Sequence, residues 1–189
     1  GTPLPIRWGK CKLATSSFGH GITTTILQLA KGYSIISNGG YDVKPTLIKV
    51  KNPKLNQKKI INRKISEEIN LALRKIVSTK IGTANLTDIP GYEIGGKTGT
   101  AQKSIDGVYS KEKINTFIGI FPTSRPKFVI AVMLDRPQIN KEYIYNYRDG
   151  SGFKLKGTPR NTAGWTTVEI TGKILEKIGP ILATKYMEF

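Results

Sequence analysis

Cysteine and histidine are almost absent: Cys11 and His20 are the only residues of their types among 189. One thiol forms no internal disulfide and builds no thiolate metal cluster. One imidazole excludes multi-histidine metal sites and weakens any Ser-His-Asp arrangement, so neither a metal nor a cofactor is expected. Acidic residues are scarce as well, 13 Asp plus Glu against 30 Lys plus Arg, a net charge of +17. That balance favours polyanions of some kind: nucleic acid, anionic lipid headgroups or acidic wall polymers. No apolar run approaches bilayer-spanning length, and residues 1–20 lack the charged-then-apolar layout of a signal peptide. The expectation is either a cytosolic protein or a piece whose targeting segment lies elsewhere.

What is present suits one globular domain with a real core. The densest basic stretch, "KPTLIKVKNPKLNQKKIINRK" at 44–64, holds eight basic residues and no acid. It reads either as a nucleic-acid patch, though without aromatic interleaving or a reader motif, or as a solvated loop and strand edge.

Residues 1–14 are Pro- and Gly-rich and linker-like. A helical part is expected over 15–80. In "FGHGITTTILQLAKGYSIISNGG", Ile22, Ile26, Leu29, Tyr33 and Ile36 recur at helical spacing, and the Ser-Asn-Gly-Gly end is a stop. In "SEEINLALRKIVSTK", Ser66 is the expected cap. Glu67 and Glu68 suit the helix's positive end, and Ile69, Leu73, Ile76 and Val77 form the inner stripe. Over 81–135, a loop at 81–91 leads into three strand-like runs, "YEIGGKTGT", "INTFIGIF" and "KFVIAVML", an antiparallel meander. A polar, Tyr-rich stretch covers 136–160. A closing helix follows over 161–182, with Val168, Leu175 and Ile178 on its apolar side and Pro180 limiting it. The fold class is α+β.

"PGYEIGGKTGTAQ" at 90–102 admits two readings. From Gly91 it fits the phosphate loop G-x-x-x-x-G-K-[ST], and "FVIAVMLD" imitates the strand-then-Asp pattern that holds magnesium. That chemistry needs a buried strand before Gly91 and a helix starting near Lys97. The polar "GTANLTDIP" before it and the glycine-broken "TGTAQKSIDGVYS" after it supply neither, so a nucleotide site is rejected. From Lys97 the stretch is K-T-G-T. On an extended backbone Thr98 and Thr100 share one face, and their hydroxyls can hold a carboxylate. Gly99 lets another extended chain approach, and Lys97 adds positive potential.

The match extends further. "ATSSFGHGITTTILQLAKGYSIISNGG", "GYEIGGKTGTAQ", "FIGIFP", "FVIAVMLDRP" and the "TAGW" helix occur in an order that resembles the C-terminal half of a class B penicillin-binding protein. The likeness is to the cell-division type, the septal peptidoglycan D,D-transpeptidases of the penicillin-binding protein 3 group. The fold implied is that of the penicillin-recognising serine transpeptidases, which β-lactamases share. In that family a serine attacks the D-Ala-D-Ala carbonyl of a stem peptide, and the acyl-enzyme passes the peptide to a neighbouring amine. β-Lactams stop at the acyl-enzyme. The resemblance implies catalytic roles for Lys97, beside an S-x-N motif, and for Thr100, whose backbone N–H would be an oxyanion donor. It implies substrate-binding roles for Thr98, Gly99, Thr100 and His20. His20 reads equally as a surface turn residue, and Gln102 as a ligand contact or a solvent-facing residue.

Two family motifs should precede residue 1. The substitutes "SKEK" (Ser110–Lys113), "SRPK" (Ser124–Lys127) and "SGFK" (Ser151–Lys154) fit S-x-x-K by chance. The chemistry needs a serine opening a buried helix with its lysine one turn on. The first two are expected in turns of the meander and the third in a polar stretch. There is no S-x-N. The chain is therefore expected to carry one wall of an active site, inactive without its N-terminal half. The family's sheet takes two further strands from that half, so without it, another copy or a partner the chain is expected to be unstable. Partners implied are the stem peptide, β-lactams, the N-terminal half and membrane proteins of the division complex, with no nucleic acid. The implied location is the periplasmic face of the inner membrane, anchored from outside this chain. Two other readings stand beside it, a non-catalytic peptide- or partner-binding module and a basic nucleic-acid-binding domain.

Overall fold

The computed structural model describes residues 9–17, 19, 22–50, 57–105, 108–157 and 160–186. A short helix α1 (Lys12–Ser16) precedes α2 (Ile26–Ser37) and α3 (Arg63–Ser78). Strands β1 (Gly95–Ile105), β2 (Val108–Phe121) and β3 (Phe128–Asp135) form one antiparallel sheet in that order. Two short strands, β4 (Ile144–Asn146) and β5 (Lys154–Lys156), pair within the stretch expected to be polar loop. Helix α4 (Thr167–Tyr186) closes the chain. The expected antiparallel meander is present, and its first hairpin runs further than its apolar pattern indicated.

Local chemistry sets the helix ends. α2 begins at a capping box, in which Thr25 Oγ1 accepts from Gln28 N and Gln28 Oε1 accepts from Thr25 N. Ile22 therefore precedes the helix instead of sharing its stripe. The stop reads as expected, because Gly39 and Gly40 take φ of 91° and 95°. α3 starts earlier than its acidic pair suggested. Asn62 caps it by accepting from Lys64 N. Ser66 lies a turn inside, where its hydroxyl donates to Ile36 O and accepts from Gly39 N. Ser66 is a buried tie between α2 and α3, and Glu67 pairs with Arg63.

Pro180 does not limit α4, which continues through it to Tyr186. A proline removes one N–H and crowds the preceding turn. Packing overrides this cost, because Leu175, Gly179 and Ala183 on either side of it are buried. Ile178, expected inside, is 38% exposed. The buried stripe instead contains glycines. A Cβ at Gly179 would lie 2.8 Å from the Tyr92 ring, and one at Gly172 would lie 2.7 Å from Arg148 Nη1.

β2 is central and buried on both faces from Phe117 to Phe121. Phe117 and Phe121 join Val168 and Leu175 of α4, Val77 of α3, and Leu86 and Ile94 in the core. α2 and α4 both contact β2 and β3, while α3 contacts β1. The sheet is thus layered between helices. Its outer strands β1 and β3 each have one edge without a strand partner among the described residues.

Candidate active-site wall

Lys97 to Thr100 lie in the body of β1, an 11-residue strand. The helix that a phosphate loop requires at this point is a strand here. β1 pairs only with β2 among the described residues, with Thr98 opposite Phe117 and Thr100 opposite Asn115. Backbone groups on its other side are available to a ligand chain. Lys97, Gly99 and Thr100 are exposed and Thr98 is half-buried.

Thr98 and Thr100 line one cleft of about 500 Å³, together with Lys80, Thr83, Arg160 and Trp165. Thr98 Oγ1 is 3.0 Å from Thr83 Oγ1. Thr100 Oγ1 accepts from the Ala163 N–H at 3.0 Å. Alternation along the strand sends Lys97 the other way, and its Nζ donates to Thr98 O at 2.8 Å.

Two connections far apart in sequence build this cleft. The Lys80–Ala84 bend enters it after α3. Gly82 N donates to Thr79 O and Ala84 N to Ile76 O. Ala84 is fully buried, and a Cβ at Gly82 would lie 2.2 Å from Ile76 O, so only glycine fits there. The second connection is the 3-10 turn Ala163–Trp165. It is tied to β2 by Asn115, whose Nδ2 donates to Asn161 Oδ1 at 3.0 Å and Thr166 Oγ1 at 2.8 Å.

Beneath the cleft, Tyr143, Tyr145 and Trp165 stack edge to face. Burial pushes the Tyr145 phenol upward, with a further push from the Glu169 charge. Tyr147, on the cleft's lining, is raised mainly by burial and also by Asp149.

None of the chance S-x-x-K matches supplies a nucleophile. Ser110 and Lys113 lie within β2, not in a turn, and Ser110 Oγ accepts from Glu112 N. Ser124, in the turn after β2, donates its hydroxyl to Glu93 Oε2. Ser151 donates its own to Asp149 Oδ1 at 2.5 Å. Neither opens a helix. His20 lies outside the described residues, and Gln102 is exposed on β1. The basic stretch runs through exposed loop to a Tyr41–Lys59 bridge and into α3, with 51–56 outside the described residues. Sequence reading missed Thr83, the Ala163 N–H and Asn115. Their roles depend on pairings across 15 to 63 positions that no local spacing announces.

Among the described residues no helix is long and apolar enough to cross a membrane, and no cluster of metal-ligating side chains occurs. Comparison with known proteins agrees with the strand reading. The family model for the penicillin binding protein transpeptidase domain matches residues 1–151. The chain is 28% identical over 193 aligned positions to a probable peptidoglycan D,D-transpeptidase FtsI of Caulobacter vibrioides, covering 96% of this chain and 30% of that protein. It is 33% identical over 138 positions to a probable peptidoglycan D,D-transpeptidase PenA of Neisseria flavescens, covering 72% and 34% respectively. Among solved structures, penicillin binding protein 3 of Mycobacterium tuberculosis complexed with aztreonam superposes with a TM-score of 0.70 at 27% identity, over 92% of this chain and 39% of that one. The apo transpeptidase domain of Burkholderia pseudomallei penicillin-binding protein 3 gives 0.68 at 25% identity, over 90% and 47%. The chain spans about a third of the length of the two relatives. With K-T-G-T on an edge strand and more than half its length matched, the chain belongs to the penicillin-binding protein transpeptidase-domain family.

Proposed function

We propose that this chain forms the K-T-G wall of a septal peptidoglycan D,D-transpeptidase. The observation that carries this reading is the pair of hydroxyls, Thr98 and Thr100, lining one cleft on an edge strand. A stem peptide ending in D-Ala-D-Ala lies antiparallel to β1, and its terminal carboxylate takes the two hydroxyls. Gly99 leaves room for its backbone, since a Cβ there would meet nothing closer than 3.8 Å on the protein side. The Thr100 N–H is one oxyanion donor. Lys97 supplies positive potential beside an S-x-N serine, and the family resemblance gives His20 a substrate-binding role. The nucleophilic serine and its lysine base come from sequence N-terminal to these residues. β-Lactams, which resemble the dipeptide, acylate that serine. The enzyme works at the periplasmic face of the inner membrane with membrane proteins of the division complex.

Labelling with a fluorescent penicillin tests the reading. The 189 residues alone remain unlabelled. Joined to a preceding segment that carries S-x-x-K and S-x-N they become covalently labelled, and Lys97→Ala abolishes the label. Labelling of the 189 residues alone, or full labelling of Lys97→Ala, contradicts the proposal.

A further inference from the structure

Both threonines of the wall have a polar neighbour on the inner side of the cleft. For Thr100 the bond has a fixed direction. Ala163 N–H can only donate, so Thr100 Oγ1 accepts at 3.0 Å and its own O–H remains to be donated elsewhere. For Thr98 the partner is a hydroxyl, Thr83 Oγ1 at 3.0 Å, and either oxygen could donate. An anion in the cleft removes this freedom. A carboxylate accepts only, so a Thr98 bound to it must donate, and Thr83 must then donate to Thr98. Donation in this sense polarises the Thr98 O–H toward the ligand and strengthens that bond.

We infer that Thr83 is a positioning residue that sets the Thr98 hydroxyl as a donor for a ligand carboxylate, matching what the Ala163 N–H does for Thr100. This rests on the proposed role of the threonine pair and adds a residue to it. Thr83 is held for the task from both sides. Gly82 before it packs against the Ile76 carbonyl, and Ala84 after it is fully buried. Gly164 closes on its carbonyl, where a Cβ would come within 2.7 Å of Thr83 O. Three residues further on, Leu86 O accepts from buried Arg148 at 2.8 Å, and Arg148 in turn bonds Glu169 of α4. The Thr83 side chain itself is exposed, so its replacement creates no cavity.

The test is binding of N-acetyl-D-alanyl-D-alanine and of its C-terminal amide to the 189 residues joined to the preceding segment that carries S-x-x-K and S-x-N, followed by the amide resonances of Thr98 and Thr100. The native chain and Thr83→Ser are expected to prefer the acid. Thr83→Val and Thr83→Ala lose about tenfold of that preference, the scale of one charge-assisted hydrogen bond, with amide binding and resonances away from the cleft unchanged. A structural role would weaken acid and amide alike. Native-like acid preference in both Thr83→Val and Thr83→Ala overturns the inference and leaves the wall's proposed function standing. Absence of any acid preference in the native chain removes the role of the threonine pair, and the inference with it.

Discussion

Arg148 and Glu169 form a two-pronged ion pair in the interior, Nη1 to Oε2 at 2.8 Å and Nη2 to Oε1 at 3.2 Å. Their side chains are only 4% and 6% exposed. Burial alone would lower the guanidinium pKa. Hydrogen bonds to Glu169 and the charges of Glu169 and Glu176 outweigh it and raise the value, so Arg148 stays charged. The Glu176 contact, Nε to Oε2 at 2.9 Å, is an ion pair off the hydrogen-bond line. Arg148→Met leaves the Glu169 carboxylate buried with only the Tyr143 hydroxyl and a distant Lys173. The expected loss is about 3–5 kcal/mol, read by urea unfolding. The double variant Arg148→Met/Glu169→Gln recovers part of this. Additive single effects would show that the two groups are not coupled.

The two glycines flanking Lys97–Thr98 separate packing from function. A Cβ at Gly96 would lie 2.4 Å from Phe117 Cζ and 2.6 Å from Ile118 O, contacts that backbone cannot relieve. Gly96→Ala should destabilise by about 1–3 kcal/mol through overpacking. At Gly99 a Cβ is 3.8 Å from Thr116 Cβ, an ordinary contact, and alanine should fold as well as glycine or slightly better. Gly99→Val should nonetheless remove penicillin labelling from the assembled enzyme, because it fills the path of the ligand backbone. Equal Tm losses at the two positions would refute the distinction.

The legible part of the fold was the part with local periodicity. The meander's strands, α2's glycine stop and α3's inner stripe are written in neighbouring residues. The K-T-G-T segment was legible because the residues on either side break any helix. Ser66 misled because a serine before two glutamates looks like a cap, whereas its hydroxyl bridges to Ile36 and Gly39, 30 and 27 positions away. Pro180 misled because the stop rule is local and the burial of Leu175 and Ala183 is tertiary. Arg148 had no local signal: a lone arginine in a polar stretch is ordinarily a surface residue. Its burial depends on Gly172, 24 positions on, being small enough to admit a guanidinium.

Alkaline pH should unlock the layer below the cleft. Burial raises the phenols of Tyr143, Tyr145 and Tyr147 above their ordinary values. A raised acid binds its proton more tightly when folded, so its contribution is intact below the unfolded value of about 10 and is lost as pH rises through the folded value. Melting temperature should therefore be level from about pH 7 to 9 and fall above about 10. Tyr147→Phe, which removes one of these protons while keeping the ring against Phe153, should make that fall shallower. An unchanged slope would mean the phenol at 147 titrates as it does in the unfolded chain.

The free edge of β3 makes a prediction about association. β3 pairs with β2 along its inner side from Phe128 to Asp135, and its outer side has no strand among the described residues. The strand is apolar, "FVIAVML", and its side chains are half-buried apart from Met133, which is 52% exposed. Such an edge pairs with another chain unless charge blocks it. The 189 residues should therefore sediment as a concentration-dependent mixture of monomer and larger species. Met133→Lys places a charge at an exposed position whose loss of packing is small, and should shift the mixture toward monomer without lowering Tm. A native chain that stays monomeric at high concentration and melts in one sharp two-state transition would mean that the helices flanking the sheet protect this edge on their own.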